Sequence, residues 1–419
     1  MDTSLTPSRI PAIDGRRILL GVTGSIAAYK AADLASRLTQ AGSLIDVVLT
    51  AAARRFVSPL TFSSVTGRRA YTDDDLWGQD AHVLHVGLGR EADVIVIAPA
   101  TAHTLAKLAS GQADDLLGLS VLASRAPLIV APAMDAGMFS HPATQANLET
   151  LRQRGAVILG PVEGRMASGL VGPGRMVEPA EIVGHIRLAL GRGRSLTGRR
   201  VLVTAGGTHE SIDPVRVIAN RSSGKQGFAL AQSALDRGAA VMLITGPTAL
   251  TTPVGAERVD VETADEMSEA VQARLETTDI LLMAAAVADF RPARPVEDKI
   301  KRGEGAIDVH LEPTPDILGK VAERRKRSGG PKVVVGFAAE SRDLVGQARQ
   351  KVKAKELDLI VANDITAPDA GFAVDTNRVT LVDASESVQE LPLMSKAEVA
   401  EAVLDRVELV IGRQRPPAA

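Results

Sequence analysis

Two lysines, Lys351 and Lys355, stand four residues apart in the segment "ARQKVKAKEL". If this segment is a helix, both ammonium groups lie on the same face. Such a pair suits a polyphosphate, and it also suits an ordinary solvated basic face. The spacing alone is consistent with both.

A glycine turn leads from a strand into a helix twice in the chain. "GVTGSIAAYK" places Gly24 on the turn and Ser25 at the predicted N-cap of the helix. "RRVLVTAGGTHE" repeats the pattern with Gly206 and Gly207. Free N–H groups and the positive end of the helix dipole suit a phosphate at such a place. The second motif is not a P-loop, because its glycine-lysine pair is followed by Gln226 and not by Ser or Thr.

Small or polar residues follow several buried strands of the first half. They are Thr50, the "APAT" that ends at Thr101, and the "APAM" that ends at Met134. Parallel sheets bind ligands beyond the carboxyl ends of their strands. These strand ends together favour a bound cofactor.

Short branched apolar runs alternate with helical patterns along both halves, which is typical of strands buried on both faces of a parallel sheet. The sequence therefore predicts an α/β protein with two Rossmann-like three-layer domains in series. We predict a first domain at 14–190, a linker at 191–198 and a second domain at 199–412. The charged, proline-bearing segment 290–306 is predicted to be a mobile flap between two strands.

The composition narrows the function classes. The 419 residues carry a formal charge of -2, which argues against binding to nucleic acid or to anionic membranes. There is no cysteine, so neither a disulfide framework nor a thiolate metal site is possible. Apolar runs of about ten residues are too short to span a bilayer. We expect a cytoplasmic protein.

The motifs of both halves resemble known enzymes. "GVTGSIAAYK", "APATAHTLAKLASGQADDLL", "APAMDAGMFSHPAT" and "GPGRM" are similar to the homo-oligomeric flavin-containing cysteine decarboxylases. "DPVR", "SSGK", "AAAVADFRP", "DKIKR", "PTPDIL" and "VGFAAE" occur in the order of a CTP-dependent ligase. The whole of 14–412 thus resembles the bifunctional coenzyme A biosynthesis proteins, in which phosphopantothenoylcysteine decarboxylase is fused to phosphopantothenate–cysteine ligase.

For the first half, the resemblance implies FMN, which oxidises the substrate thiol so that the carboxylate can leave as CO₂. It implies that His85 is the catalytic histidine and that His82 has no such role. The implied FMN contacts are Gly24, Ser25, Thr50, Ser63 and Thr101.

Two positions of the first half depart from the family pattern. Asp135 stands where many members have an asparagine that holds the substrate carboxylate, so either its pKa is raised or the substrate is held differently. Ser168 stands where many members have a cysteine that protonates the intermediate, and Leu170 replaces an aspartate. A serine hydroxyl is a much poorer acid than a thiol. We expect decarboxylation to survive, with Asp135 and Ser168 in the catalytic positions.

For the second half, the resemblance implies that CTP transfers CMP to the carboxylate of 4′-phosphopantothenate, after which the cysteine amine displaces CMP. Asn220 is implied to bind the acyl phosphate, and Lys299 to act in the second step with help from Lys301 and Arg302. Asp289, which is predicted to end the buried strand that contains "AAAVA", is also a candidate Mg²⁺ ligand. The implied nucleotide-binding positions are Gly206, Gly207, Asp289, Lys299, Pro315, Asp316, Ile317, Leu318, Phe337, Lys351 and Lys355.

The resemblance further implies a homo-oligomer, with flavin-domain trimers and ligase-domain dimers that assemble into a dodecamer. Two alternatives stay open at this point. One is a monofunctional ligase whose flavin half is a non-catalytic scaffold, which the departures at Asp135 and Ser168 favour. The other is a flavin-binding interaction module with no catalytic role.

Overall fold

The computed structural model describes residues 9–77, 83–166, 169–301, 308–340, 343–364 and 375–413. Contacts divide the chain into two compact units, Met1–Gly191 and Arg192–Ala419. Each unit is built around a mainly parallel sheet, as the alternation of apolar strands and helices predicts. The predicted α/β class is confirmed.

The described part of the first unit contains a parallel six-stranded sheet in the order β3-β2-β1-β4-β5-β6 and a separate antiparallel hairpin, β7–β8. The strands are β1 Arg17–Val22, β2 Leu44–Leu49, β3 Ala70–Thr72, β4 Val94–Ala100, β5 Leu128–Pro132, β6 Val157–Ile158, β7 Val162–Arg165 and β8 Val171–Arg175.

Helices pack on both faces of this sheet. Neighbouring residues of β1 enter different core clusters, Ile18 and Leu20 on one face and Leu19 on the other. All three side chains are almost fully buried, which is why the strand carries no alternation of polar residues. The helices are α1 Ala28–Gln40, α2 Pro59–Thr66, α3 Leu84–Glu91, α4 Ala102–Ser110, α5 Leu116–Leu122, α6 Ala136–Ser140, α7 Pro142–Gln153 and α8 Pro179–Gly191.

The second unit repeats this plan with a larger sheet. Among its described residues the order is β13-β12-β9-β14-β17-β18-β20-β21, parallel up to β18 and antiparallel beyond it. Those strands are β9 Arg200–Ala205, β12 Ala240–Thr245, β13 Ala256–Asp260, β14 Ile280–Met283, β17 Val333–Glu340, β18 Leu359–Asp364, β20 Val379–Asp383 and β21 Val388–Glu390.

Three small antiparallel pairs and five helices complete the described part of the second unit. The pairs join β10 His209–Ser211 to β11 Val217–Ala219, β15 Phe290–Pro292 to β16 Leu311–Pro313, and β19 Thr376–Asn377 to β22 Met394–Ser395. The helices are α9 Lys225–Asp236, α10 Ala264–Gln272, α11 Ile317–Ser328, α12 Leu344–Ala354 and α13 Lys396–Arg413.

Each sheet has a topological switch point beside its first strand. The chain leaves β1 toward β2 and later returns to the other side of β1 as β4, and β9 stands in the same way between β12 and β14. Loops that leave such a pair of strands in opposite directions open a crevice at their carboxyl ends. The candidate sites lie at these two crevices.

Candidate functional site

The crevice of the first unit is tied together by Thr23, whose side chain is buried. Its hydroxyl donates to the carbonyl oxygen of Pro99 at 2.7 Å and accepts from the N–H of Thr101 at 3.1 Å. These bonds join the loop after β1 to the loop after β4. The two loops therefore form one rigid edge.

The glycine turn after β1 has no room for a side chain. A Cβ at Gly24 would lie 2.5 Å from the Cβ of Ala52 in the loop after β2. The prediction that Ser25 is the N-cap is wrong. The N–H of Ser25 donates to the carbonyl oxygen of Thr23 in an extra turn before the helix. Helix α1 begins after Ala27, whose side chain makes no capping hydrogen bond. The Ser25 hydroxyl instead accepts from the N–H of Ala27 at 3.3 Å.

Two threonines join Gly24 and Ser25 at this edge. Thr50 follows β2 and accepts from the N–H of Ala53 at 3.2 Å, and Thr101 caps α4 by accepting from the N–H of Thr104 at 3.3 Å. Ser63 lies inside α2, where its hydroxyl accepts from Ala70 at the start of β3 at 3.3 Å. Four of the five predicted FMN contacts thus follow the carboxyl ends of strands.

His85 is the second residue of α3, which leads into β4. Helices that connect parallel strands run antiparallel to them, so the start of α3 lies at the ligand-binding edge. The Nδ1 atom of His85 is buried, and no hydrogen-bond partner for it is found in the described ranges. The imidazole therefore has an unused polar atom at the place where the sequence predicts catalysis. His82 lies outside the described residues.

Asp135 follows β5 and is held by the helix that it caps. Its carboxylate accepts from the N–H of Gly137 at 3.0 Å. The hairpin β7–β8 packs on this segment: Met134 donates its N–H to the carbonyl oxygen of Gly174 at 3.0 Å, and a Cβ at Gly174 would lie 2.3 Å from the oxygen of Met134. The glycines of the hairpin thus permit close backbone approach to Asp135. Ser168 lies between the two strands, outside the described residues.

Large apolar side chains are exposed around the same edge. They follow the carboxyl ends of β1, β2, β3 and β5 or lie on the hairpin, and they include Ile26, Tyr29, Phe56, Leu60, Trp77, Val83, Met138, Leu170 and Val171. Trp77 is 89% exposed. Exposed apolar residues in such number are candidates for contact with a ligand or another protein.

The crevice of the second unit opens into a cavity of about 880 Å³. Its walls come from the start of α9, the loops after β11 and β14, the start of α11, the middle of β17 and the end of α12. The predicted residues that line it are Asn220, Asp289, Pro315, Asp316, Ile317, Leu318, Phe337, Lys351 and Lys355. Residues up to 135 positions apart in the sequence, from Asn220 to Lys355, therefore face one space.

Gly206 and Gly207 pack behind this wall. A Cβ at Gly246 would lie 2.1 Å from the carbonyl oxygen of Gly207, so the turns after β9 and β12 touch through their backbones. Gly224, which precedes α9, has a φ of +75° and offers the helix no side-chain cap. Only glycine adopts this backbone conformation at little cost.

The charges of the cavity are partly paired. Lys355 forms an ion pair with Asp316, which also caps α11 by accepting from the N–H of Gly319 at 3.0 Å. Burial raises the pKa of Asp316, but the hydrogen bonds from Lys355 and Gly319 outweigh burial and leave its pKa below the ordinary value. Asp316 therefore enters the site as a carboxylate, and it neutralises part of the positive charge of Lys355.

A second cationic group lines another part of the cavity. Lys225, the first residue of α9, pairs with Asp375 at 2.5 Å, and Lys396 at the start of α13 is 8% exposed. Burial, and then repulsion from Lys225, lowers the pKa of Lys396. Sequence reasoning had not singled out Lys396.

Two amides that the sequence analysis missed also line the cavity, Asn363 at the end of β18 and Asn377 in β19. The side-chain oxygen of Asn363 is buried, and it has no hydrogen-bond partner within the part of the chain that is described. The end of a buried strand was the available signal for Asn363. No local pattern marks Asn377.

Asn220 and Asp289 converge on the loop after β14. Asn220 donates its side-chain N–H to the carbonyl oxygen of Val287 at 2.8 Å. The strand predicted to end at Asp289 is shorter than expected, because β14 ends at Met283 and Asp289 is an exposed loop residue. In the described ranges, no group of three or more His, Asp or Glu side chains could hold a metal ion. A cation at Asp289 would take its other ligands from water and substrate phosphates.

Lys299 is exposed and does not line the cavity wall. Its neighbour Ile300 is held at both backbone atoms: the N–H donates to Asp213 at 3.2 Å, and the carbonyl oxygen accepts from Arg216 at 3.0 Å. Ile300 of the predicted 290–306 flap is thus docked on the 212–216 loop. Lys301 is exposed, and Arg302 lies outside the described residues.

None of the described helices is long and apolar enough to cross a bilayer.

The second unit, like the first, exposes apolar side chains. They lie on its small antiparallel pairs and nearby loops, namely Val215, Val217, Phe290, Val296, Val309 and Leu311.

Two family models match the chain. The flavoprotein model matches residues 11–191, and the model of the DNA/pantothenate metabolism flavoprotein C-terminal domain matches residues 196–410. The first unit therefore has the sequence pattern of a flavoprotein, and the second that of its C-terminal partner domain.

Curated relatives match over almost the whole chain. The coenzyme A biosynthesis bifunctional protein CoaBC of Bacillus subtilis (strain 168) is 44% identical over 398 residues, which are 94% of this chain and 97% of that protein. The protein of the same name from Mycobacterium tuberculosis (strain H37Rv) is 44% identical over 411 residues, 95% of this chain and 97% of its own length.

Solved structures match each half separately. The crystal structure of the C-terminal domain of a coenzyme A biosynthesis bifunctional protein is 38% identical and covers 52% of this chain and 98% of its own, with a TM-score of 0.45. A PPC decarboxylase mutant complexed with pantothenoylaminoethenethiol is 36% identical and covers 42% and 97%, with a TM-score of 0.39. The family assignment rests on the sequence matches.

Proposed function

The chain belongs to the family of the coenzyme A biosynthesis bifunctional proteins, and from this premise we propose that it joins cysteine to 4′-phosphopantothenate with CTP and decarboxylates the product with FMN. It is a bifunctional enzyme of coenzyme A biosynthesis, with a flavoprotein decarboxylase domain and a ligase domain. We assign the decarboxylase to 14–190, the linker to 191–198 and the ligase to 199–412.

The observation that carries the ligase proposal is the convergence of eight of the eleven predicted nucleotide positions on one cavity of about 880 Å³. In the first step a carboxylate oxygen of 4′-phosphopantothenate attacks the α-phosphorus of CTP, and pyrophosphate leaves. Lys351 and Lys355 supply positive charge for the triphosphate, with Asn220 at the acyl phosphate.

Mg²⁺ fits this site only in company with the substrate. The ion commonly binds one or two carboxylates, several waters and substrate phosphates. Asp289 offers an exposed carboxylate on the cavity wall. The described residues therefore suit an ion that enters with CTP.

In the second step the amine of cysteine attacks the acyl carbon, a C–N bond forms, and CMP leaves with the electrons of the broken C–O bond. The amine loses one proton. We assign Lys299 to this step, supported by its place beside the docked Ile300 and by the family motif. A water molecule competing for the same acyl carbon would give back 4′-phosphopantothenate.

FMN fits the first unit. The turn at Gly24, where a Cβ would clash with Ala52, lies at the ligand-binding edge of the sheet. At the same edge lies the buried Nδ1 of His85, which has no hydrogen-bond partner among the described residues. When bound, FMN would take electrons from the thiol, which makes that group an electron sink for decarboxylation, and would return them once CO₂ has left. Gly24, Ser25, Thr50, Ser63 and Thr101 would hold it.

Four parts of the chain itself take part in decarboxylation. His85 moves the thiol proton, the hairpin β7–β8 covers the cysteine moiety, and Asp135 lies under that hairpin. Position 168 supplies or relays the final proton. Because Asp135 is a carboxylate in place of an amide, the substrate carboxylate needs a cation or a proton at this contact.

We also propose that the enzyme is a cytoplasmic homo-oligomer, a dodecamer of flavin-domain trimers and ligase-domain dimers. The exposed apolar side chains around the edge of the first unit and on the small antiparallel pairs of the second support subunit contacts at both places. The monofunctional alternative and the non-enzymatic alternative are not favoured, because relatives matched over 94–95% of the chain are named bifunctional proteins.

The test measures both activities of the purified chain. We expect a flavin absorbance band, CO₂ from phosphopantothenoylcysteine, and pyrophosphate that depends on CTP and 4′-phosphopantothenate. A yellow protein that releases no CO₂ would support the monofunctional ligase. A protein that releases no pyrophosphate with CTP would contradict the ligase assignment.

A further inference from the structure

Asp213 is a buried carboxylate that the proposed mechanism leaves without a role. Its side chain has no exposed surface in the 212–216 loop between β10 and β11. Buried carboxylates are costly unless they are hydrogen-bonded or paired. The contacts of Asp213 therefore indicate which part of the structure its burial stabilises.

The two oxygens of Asp213 have different tasks. Oδ1 accepts from the N–H groups of Val215 and Arg216, both at 2.8 Å, and so closes the turn in its own loop. Oδ2 accepts from the N–H of Ile300 at 3.2 Å and lies 3.3 Å from the Arg216 guanidinium. One oxygen builds the loop, and the other reaches a segment 87 residues away.

Arg216 completes a clamp on Ile300. The guanidinium that pairs with Asp213 also donates to the carbonyl oxygen of Ile300 at 3.0 Å. Upstream, Val296 donates its N–H to the carbonyl oxygen of Ile212 at 3.0 Å. Both polar backbone groups of Ile300 are thus held by one ion pair, and Lys299 is the residue next to it.

The charge of Asp213 suits this task. Burial raises its pKa, but the backbone N–H groups of Val215, Arg216 and Ile300 and the charge of Arg216 outweigh burial and leave the pKa below the ordinary value. The carboxylate stays ionised at neutral pH. The clamp is therefore charge-assisted at both ends.

We propose that Asp213 is a positioning residue for Lys299, which it serves by holding the backbone of Ile300 on the 212–216 loop. The inference rests on the role assigned to Lys299 above. A lysine on an unanchored segment of 293–301 would sample many positions, whereas a fixed neighbour restricts its amine to the reach of one side chain. Loss of such orientation can slow a reaction about 100-fold.

The Asp213→Asn variant separates the two oxygens. The amide oxygen can stay with the turn N–H groups, and the NH₂ group then faces the N–H of Ile300 and the guanidinium of Arg216, which are both donors. The turn is kept and the clamp is lost. The matched control is Asp308→Asn, which removes the same charge from an exposed residue.

The experiment follows the two half-reactions in the full-length chain. Pyrophosphate release without cysteine reports the first, and cysteine-dependent CMP release reports the second. For Asp213→Asn we expect a pyrophosphate burst close to that of the wild type and a second step slowed about 10- to 100-fold. Asp308→Asn should match the wild type in both. Equal slowing of both steps by Asp213→Asn would mean general damage and would overturn the proposal.

A double-mutant cycle identifies the route of the effect. If Asp213 acts through Lys299, Asp213→Asn adds no further slowing to Lys299→Gln, whereas independent effects would multiply. An unchanged second step in Lys299→Gln would refute the role of the lysine. A slow Lys299→Gln beside an unimpaired Asp213→Asn would refute only the positioning role.

Ile300→Pro tests the same clamp by changing the donor. It removes the N–H group that donates to Asp213, and it changes no residue of the 212–216 turn. It decides the question if Asp213→Asn does not fold. We expect the same selective loss of the second step, with faster amide hydrogen exchange across 296–299. Normal second-step rates in Ile300→Pro would contradict the proposal.

Discussion

The two units share one sheet topology but differ at the edge of the sheet where a ligand binds. In the first, the Thr23 hydroxyl ties the loop after β1 to the end of β4, and exposed apolar side chains surround the edge. In the second, the loops after β11 and β14 and the start of α9 contribute to the walls of a cavity of about 880 Å³ lined by lysines and amides. The switch point decides where a ligand binds, and the loops decide which ligand.

The difference extends to the covering segments. The first edge is covered by a hairpin that lies on Asp135 through glycine backbone contacts. The second has a charged segment docked through Asp213 and Arg216. A flat flavin ring and a substrate thiol need close backbone approach, whereas a triphosphate and an acyl-cytidylate need cations that are held in place.

The largest expected effect is that of His85→Asn. If the two sites are chemically separate, this variant slows decarboxylation about 10²- to 10⁴-fold, the usual contribution of an acid-base group, and leaves the ligase unchanged. CO₂ and pyrophosphate release measured on one preparation check this. His103→Asn, an exposed histidine on α4, is the control. A loss of pyrophosphate release in His85→Asn would break the separation.

A reciprocal pair of glycine variants sharpens the comparison. Gly24→Ala places a Cβ 2.5 Å from Ala52, and Gly246→Ala places one 2.1 Å from the carbonyl oxygen of Gly207. Overpacking a well-packed site costs about 1–3 kcal/mol in free energy. We expect this cost to appear in ligand binding, because both turns lie at a ligand edge. FMN affinity should then fall about 5- to 150-fold in Gly24→Ala, and CTP affinity should fall by a similar factor in Gly246→Ala.

Flavin absorbance and CTP titration of each variant measure the pair. Gly87→Ala and Gly412→Ala serve as controls, because a Cβ at either position meets nothing within 4 Å. Loss of both ligands in either variant would show that the two edges are not independent.

The smallest effect concerns Lys396. Because burial and Lys225 lower its pKa below 10.5, the unfolded chain binds more protons between the lowered value and pH 10.5, so stability rises with pH across this window. Lys396→Gln should therefore exceed the wild type in free energy of unfolding at pH 7.5, with a gap that closes toward pH 10.5.

Bound CTP should offset part of this gap, because phosphate favours the charged lysine and we expect about fivefold weaker binding by the variant. Denaturant unfolding at two pH values, with and without CTP, measures both effects. A difference in free energy of unfolding that widens with pH would contradict the lowered pKa of Lys396. A CTP affinity of Lys396→Gln equal to that of the wild type would contradict the place of Lys396 in the nucleotide site.

The sequence predicted the sheets well, because buried strands such as β1 and β9 are continuous apolar runs. The sequence predicted too long a strand β14, because "AAAVA" is apolar. In the structure β14 ends at Met283, and one isolated bridge, between Gly207 and Ala286, follows it. The sequence also misplaced the cap at Ser25, because the extra turn depends on a bond to Thr23. The hairpin β7–β8 was missed, since its strands have no alternation of polar and apolar residues.

The candidate sites were predicted mainly from motif order. Local patterns pointed to Lys351 and Lys355, and both line the cavity. The contribution of Lys396 and Asn377 comes from packing between distant elements, which spacing along the chain does not encode. The docking of Ile300 on Asp213 depends on a buried ion pair that no short segment contains.

The most direct test of two working sites in one chain is mass spectrometry of the products formed from 4′-phosphopantothenate, cysteine and CTP by the FMN-loaded enzyme. We predict 4′-phosphopantetheine, with phosphopantothenoylcysteine appearing early and then declining. Lasting accumulation of phosphopantothenoylcysteine, with no 4′-phosphopantetheine, would contradict a functional decarboxylase built with Asp135 and Ser168.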